Sequence, residues 1–269
     1  VAAEAPDGTS TPRMPRYISP SAAGTFRRCP ARWRYRYVDR LPDPPGRPAL
    51  LGTFVHRILE ELLELEPALR HPDMARTVAR RVWPEMSSSA DFLALELDEG
   101  EQRRFRWDGW HLVEAYFRME DPAAVRVVKN EQRVRAALAG VPFMGIIDRV
   151  ERVGDEIVVT DYKTGKAPTA RFEGERLEQV LLYAAALAAN GSEPGRARLM
   201  YLGNRTIEVE VSDEGTSRVV EALAATWAEL GDSVEADEFP TRPGRQCGWC
   251  PYAEVCPDGR LQLGLSVPA

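Results

Sequence analysis

One short stretch limits what this chain can fold into: GIIDRVERVGDEIVVTDYKTG, residues 145–165. Two runs rich in Ile and Val flank Gly154-Asp155, the pattern of a β-hairpin. Glycine at the first central position suits a two-residue type II′ turn. With that loop Val153 faces Glu156, and opposed residues carry numbers that sum to 309. Asp148 then lies across from Asp161, and alternation along the strand puts Lys163 on the same face. Like charges opposed on one sheet face repel. Two carboxylates and a lysine so placed are either a solvated strand face or a seat for a cation between them, for which hard oxygen ligands suit magnesium or manganese.

The rest of the chain can supply a substantial core around this hairpin. It has 269 residues, 44% of them hydrophobic and 28% charged, the profile of a soluble globular protein. The net charge of −6 excludes a global basic field that would announce a polyanion partner, though not a local basic cleft. Only Lys129, Lys163 and Lys166 are lysines, and two of them stand in DYKTGK. No apolar run is long enough to span a bilayer, and residues 1–16 read as a disordered tail without the apolar core of a signal peptide. A cytoplasmic location is the expectation, and there Cys29, Cys247, Cys250 and Cys256 fit metal ligation better than disulfides.

In chain order, Ser19-Pro20 starts a short helix to about Cys29, and Pro30 opens a second helical segment. There Arg32, Arg34 and Arg36 interleave with Trp33, Tyr35 and Tyr37, residue types that can hold a nucleic-acid strand by phosphate contact and stacking. The same pattern also describes an amphipathic helix with its aromatics inside and arginines in water. Residues 41–48 form a proline-rich loop, and 52–66 have helical spacing, with His56 and Glu60 one turn apart. Residues 67–121 read as a helical insertion, with a Ser87-Ser88-Ser89 loop between its two main helices. β character returns over 124–139, and Ala139-Gly140 turns the chain into the strand that leads to the hairpin. Glu131 lies on the first strand of that series. Residues 175–190 make an amphipathic helix ended by Gly191, with Gln179 and Tyr183 sharing a face. Strands over 196–202 and 205–211 and a helix over 216–236 follow, which together indicate a mixed α/β sheet.

The closing segment, residues 239–258, holds Cys247-x2-Cys250 and then Cys256. Three thiolates do not complete a tetrahedral site or a cubane, and the remaining cysteine, Cys29, is 218 positions upstream of Cys247. Its use would pin the two ends of the chain together. Zinc with four thiolates and an iron–sulfur cluster are both compatible with the spacing.

These pieces together resemble a RecB-type nuclease of the PD-(D/E)XK superfamily, in the iron–sulfur branch that includes the AddB nuclease domain and CRISPR-associated adaptation nucleases. The resemblance runs from Tyr17 to about Asp258, in family order. It rests on the opening SPSAAGTFRRCPARWRYRYVDRLP, then GTFVH, GIIDR, DYKTG, QVLLY and the closing cysteine segment. It implies a restriction-endonuclease-like mixed sheet flanked by helices, as a single nuclease domain over 17–269. It further implies that His56, Asp148, Asp161 and the carbonyl of Tyr162 hold a catalytic Mg²⁺ or Mn²⁺. Lys163 would activate water and stabilise the phosphate's charge, Gln179 and Tyr183 would contact DNA or brace the site, and Glu131 would be a further acid. Cys29, Cys247, Cys250 and Cys256 would hold a structural [4Fe-4S] cluster, with zinc as the alternative. The implied activity is a metal-dependent deoxyribonuclease, an exonuclease on single-stranded DNA or free ends, in repair, recombination or processing. A separate helicase is a compatible partner, since the chain has no Walker-type loop. The competing expectation is a catalytically inactive DNA-binding module on the same fold, for which the loss of His56, Asp148, Asp161 or Lys163 would be the mark.

Overall fold

The computed structural model describes residues 11–169, 171 and 173–266, so most of the expected tail lies outside the described residues. Its contacts divide the chain into two compact units: one of 44–136 and 144–219, the other of 1–43, 137–143 and 220–269.

Five strands in the order β1-β2-β3-β4-β5 form one sheet, most of which belongs to the first unit. These are Arg126–Leu138 (β1), Val141–Val153 (β2), Glu156–Lys163 (β3), Pro194–Tyr201 (β4) and Arg205–Glu210 (β5). β2 and β3 pair antiparallel from Arg149↔Thr160 to Val153↔Glu156, the register expected from the two-residue turn. Gly154 takes φ +62° while Asp155 keeps an ordinary negative φ, which excludes type I′ and fits type II′. β3 then pairs parallel with β4, and β4 antiparallel with β5, so the sheet is mixed as expected. The parallel step needs a crossover, which helix α7 (Glu173–Ala188) supplies.

On one face, α7 packs on β3 and β4. The other face is covered by four helices: Arg47–Leu63 (α3), Pro72–Ser88 (α4), the short Ala90–Leu93 (α5) and Glu99–Met119 (α6). Their buried Phe54, Ile58, Leu62, Val78, Phe92, Phe105 and Tyr116 form one cluster with Tyr162, Met200 and Leu202 of the sheet side. The insertion is therefore a core layer. Two boundaries differ from the sequence expectation by more than a helical turn. α3 begins at Arg47, not Gly52, because Pro48 suits the first turn and Gly46 can serve as N-cap. The serines do not form a loop: α4 runs through Ser88, with the Ser87 and Ser88 hydroxyls donating back to the carbonyls of Pro84 and Glu85. Only Ser89 leaves the helix, where its hydroxyl caps α5.

The second unit holds Pro20–Arg28 (α1), Pro30–Tyr37 (α2), most of Asp213–Ala236 (α8), the cysteine segment and Pro257–Gln262 (α9). Ser19 caps α1, and Pro20 and Pro30 start their helices as read from sequence. Trp33 is buried between Phe26, Tyr37 and a parallel Phe239 ring 5.9 Å away.

A single cation ties the first unit together. Arg149 has no exposed surface, yet it stands next to Asp148 on β2. Its guanidinium donates to both carboxylate oxygens of Glu120 after α6, to Glu151 at 2.9 Å and to the hydroxyl of Tyr162 at 2.7 Å. Glu151 also accepts from Thr160 at 3.0 Å and pairs with Arg198 of β4 at 3.3 Å. Removing one partner of such a buried set strands the others without solvent. Arg149→Met should therefore cost about 3–5 kcal/mol of stability, read as a lowered denaturant midpoint in chemical unfolding. An unchanged midpoint would show that Arg149 carries no such load.

Candidate active site

Alternation along β2 and β3 puts Arg149, Thr160 and Tyr162 on the helical-layer face, and Asp148, Asp161 and Lys163 on the face toward α7. At the open end of the hairpin, Asp148 turns its Oδ2 onto the backbone N–H of Tyr162, 2.6 Å away. The same oxygen lies 3.5 Å from Nδ1 of His56. His56 comes from α3, which approaches the DYKTG segment at Gly52; a Cβ on Gly52 would stand 3.3 Å from the Thr164 hydroxyl.

Glu131 completes the group. Among the described residues, His56, Glu131 and Asp148 offer ligand atoms all within 4.8 Å of one another. Glu131 reaches this place through a distorted backbone, with φ +44° inside β1. A left-handed residue within a strand costs of order 1–3 kcal/mol and recurs where function fixes a side chain. The sequence placed Glu131 on the strand but gave no sign of this distortion.

Asp161 is buried and not part of that group. Its Oδ2 lies 2.7 Å from Lys163 Nζ, and its Oδ1 accepts from Gln179 Nε2 at 2.9 Å. Lys163 donates to Gln179 Oε1 at 3.0 Å, and Gln179 Nε2 also donates to the Tyr183 hydroxyl at 2.8 Å. Gln179 and Tyr183, one turn apart on α7, thus join the two ends of the Asp-x-Lys pair. The Tyr162 side chain points to the other face, where its hydroxyl holds Arg149.

The electrostatics show crowded negative charge. Burial, then the charges of Asp148 and Glu60, push the Glu131 carboxyl up to about 7. Burial and Asp148 raise Asp161 to about 6 against the opposing pull of Lys163. Burial would lower His56, but its hydrogen bond to Asp148 and the surrounding carboxylates outweigh that and raise it. One imidazole and two carboxylates converging in this way fit a divalent ion, whose charge would replace the proton that Glu131 now retains.

The other expected residues fall in the second unit. Cys29, Cys247, Cys250 and Cys256 line one hollow with Arg32 and Tyr35, and all four are free thiols. Among the described residues no three of these sulfurs lie within 4.8 Å of one another. A zinc ion at 2.3 Å from four thiolates would bring sulfurs to roughly 3.8 Å apart. Arg34 pairs with Asp39 at 3.4 Å and with Asp237, and Arg36 pairs with Asp43 at 3.1 Å. Their charges are answered within the unit, an outcome the interleaved pattern did not reveal.

The family model of the PD-(D/E)XK nuclease superfamily matches residues 17–257. The chain belongs to that superfamily. Among solved structures it is similar to the "Putative exonuclease" of Eubacterium rectale, at 13% identity and a TM-score of 0.55, over 94% of this chain and 91% of that one. It also matches SSO0001, at 16% identity and a TM-score of 0.36, over 77% of this chain and 95% of that one. No curated protein matches. The divalent metal expected of such a nuclease has a three-residue candidate site here, and no helix among the described residues is long and apolar enough to cross a membrane.

The charge crowding has a measurable consequence. Glu131 ionises near 4.5 when unfolded but holds its proton up to about 7 in the fold, so its contribution to stability is lost as pH rises between those values. A seated cation reverses the sign. Added Mn²⁺ should raise the melting temperature more at about pH 8 than at about pH 6, where binding must expel the proton. Glu131→Gln should flatten that difference, and an equal rise at both pH values in the native chain would exclude Glu131 from the ion site.

Proposed function

We propose that this protein is a divalent-metal-dependent deoxyribonuclease that degrades DNA from ends, acting in repair, recombination or DNA processing in the cytoplasm. The observation that carries it is the pairing of an ion-competent group, His56, Glu131 and Asp148, with the Lys163–Gln179–Asp161 chain beside it. We read residues 17–269 as a single nuclease domain.

A bound Mg²⁺ or Mn²⁺ would supply Lewis acidity toward a phosphodiester and neutralise part of its charge. The imidazole of His56 favours Mn²⁺ of the two, since nitrogen donors suit the transition metal better. His56, Glu131 and Asp148 would hold the ion, with the carbonyl of Tyr162 at hand because in an extended strand it projects to the same edge as the Tyr162 N–H, which donates to Asp148. Asp161, beside Lys163 on the same sheet face, would be a further ligand of that ion. The Lys163 ammonium, one-third exposed and steadied by Asp161 and Gln179, places positive charge where the attacking water and the phosphate meet. Tyr183 fixes the rotamer of Gln179 and so the direction in which Lys163 is held.

We assign the four cysteines to a structural [4Fe-4S] cluster. What supports the assignment is the hollow that all four line. Because Cys29 and the closing segment lie in one unit, a cluster there would tie the two parts of the chain that form it. Anaerobically purified protein should be brown and contain iron and acid-labile sulfide. Zinc alone in that preparation would replace the assignment.

The decisive assay uses end-labelled single- and double-stranded linear DNA with Mn²⁺, Mg²⁺ or chelator. Cutting should require metal, and Lys163→Ala should slow it by roughly 100- to 1,000-fold while leaving DNA binding in place. Protein that carries its cluster and binds DNA but cuts under no metal would instead be a binding module.

A further inference from the structure

Between α3, α4 and α6 lies an open hollow of about 380 Å³ that the chemistry above does not use. It is lined by Phe54, Ile58, Arg76, Ala79, Arg80, Trp83, Arg106 and Trp110. Three cations and two indoles meet there, and no carboxylate lines it, in a chain of net charge −6.

The arrangement is reciprocal across the two helices. Arg76 of α4 lies over Trp110 of α6 at 4.9 Å, and Arg106 of α6 lies over Trp83 of α4 at 5.0 Å. A guanidinium held by a ring in place of a carboxylate keeps N–H groups available, and these match a phosphate. Arg76 has acids only at 3.7 Å, from Asp73 and Glu114. Arg80 and Arg106 have no carboxylate partner among the described residues, and both are exposed. A simple clamp between helices would need the two stacked pairs, but not Arg80, nor an acid-free lining. Phe54 and Ile58 stand two residues to either side of His56, so the hollow opens on the opposite face of α3 from that imidazole.

We propose that this hollow is a nucleotide subsite, separate from the hydrolytic groups, that takes a base alongside the arginine–indole pairs and a phosphate on the N–H groups of the arginines. The volume lies in the range of small-ligand sites, roughly 300–1,000 Å³. Stacking and cation–π contact are indifferent to base identity, which suits a chain that follows DNA without reading its sequence. The proposal rests on the nuclease reading for its choice of ligand.

The test is binding of a labelled oligodeoxythymidine in chelator, so that no cutting occurs, followed by titration with thymidine monophosphate. Arg80→Glu/Arg106→Glu should weaken oligonucleotide binding tenfold or more and lower the salt slope by roughly 0.7 for each phosphate that is no longer neutralised. Arg103→Glu, on the same helix and outside the hollow, should have little effect. Unchanged melting curves would show that the variants remain folded. Competition by the mononucleotide would assign the subsite to free nucleotides as well as strands, and its absence would assign it to strands. Equal losses in Arg103→Glu, or none in the double variant, would overturn the subsite even if DNA cleavage persists. If native protein never cuts but the double variant alone loses binding, the nuclease reading fails and the subsite stands.

Discussion

The buried guanidinium of Arg149 is the constraint on which the sheet and its chemistry depend. β2 offers Asp148 and Arg149 in succession, and a strand must send them to opposite faces. A slip of one residue would exchange them, putting a carboxylate among Tyr116, Tyr162 and Glu120 and a guanidinium beside His56. The first would bury like charges together, and the second would take a carboxylate out of the group with His56 and Glu131. The network around Arg149 therefore sets the register that delivers Asp148 to the ion-competent group, and it does so from the far side of the sheet.

On that near face the protein maintains an excess of negative charge at some cost. Glu131, Asp148, Asp161 and Glu60 act on one another against His56 and Lys163, and the imbalance appears as a retained proton near neutrality. Gln179 mediates because an amide offers a donor and an acceptor without adding charge. It accepts from Lys163 and donates to Asp161, so neither ion needs to move for the other to be held. The strained Glu131 backbone adds to that cost, so this face is less stable than its neighbours would allow.

What the sequence disclosed was what local pattern controls. The hairpin register followed from a glycine at the turn, the helix starts from Ser19-Pro20 and Pro30, and Gln179 with Tyr183 from a one-turn spacing. Partners distant in the chain were not readable. Asp237, which takes the charge of Arg34, lies in another segment, and nothing in RWRYRY announces it. The left-handed backbone at Glu131 falls on a residue that is not glycine, so strand periodicity passes over it. Likewise the serines of α4 look like a loop in composition, while their hydroxyls bond to the helix's own carbonyls.

The placement of free cations matters more in this chain than their number. With a net charge of −6, long-range attraction cannot gather a polyanion, so affinity must come from short-range contacts whose arginines are not already neutralised. Arg34 and Arg36, prominent in sequence, direct their charge to Asp39, Asp237 and Asp43. Arg80 and Arg106 are less conspicuous in sequence, but the fold gives them indole neighbours or an acid-free lining and leaves their donors available. An ion pair fixes a guanidinium by occupying its fork, whereas a ring fixes it by its face. Only the second kind of positioning leaves something with which to hold a phosphate.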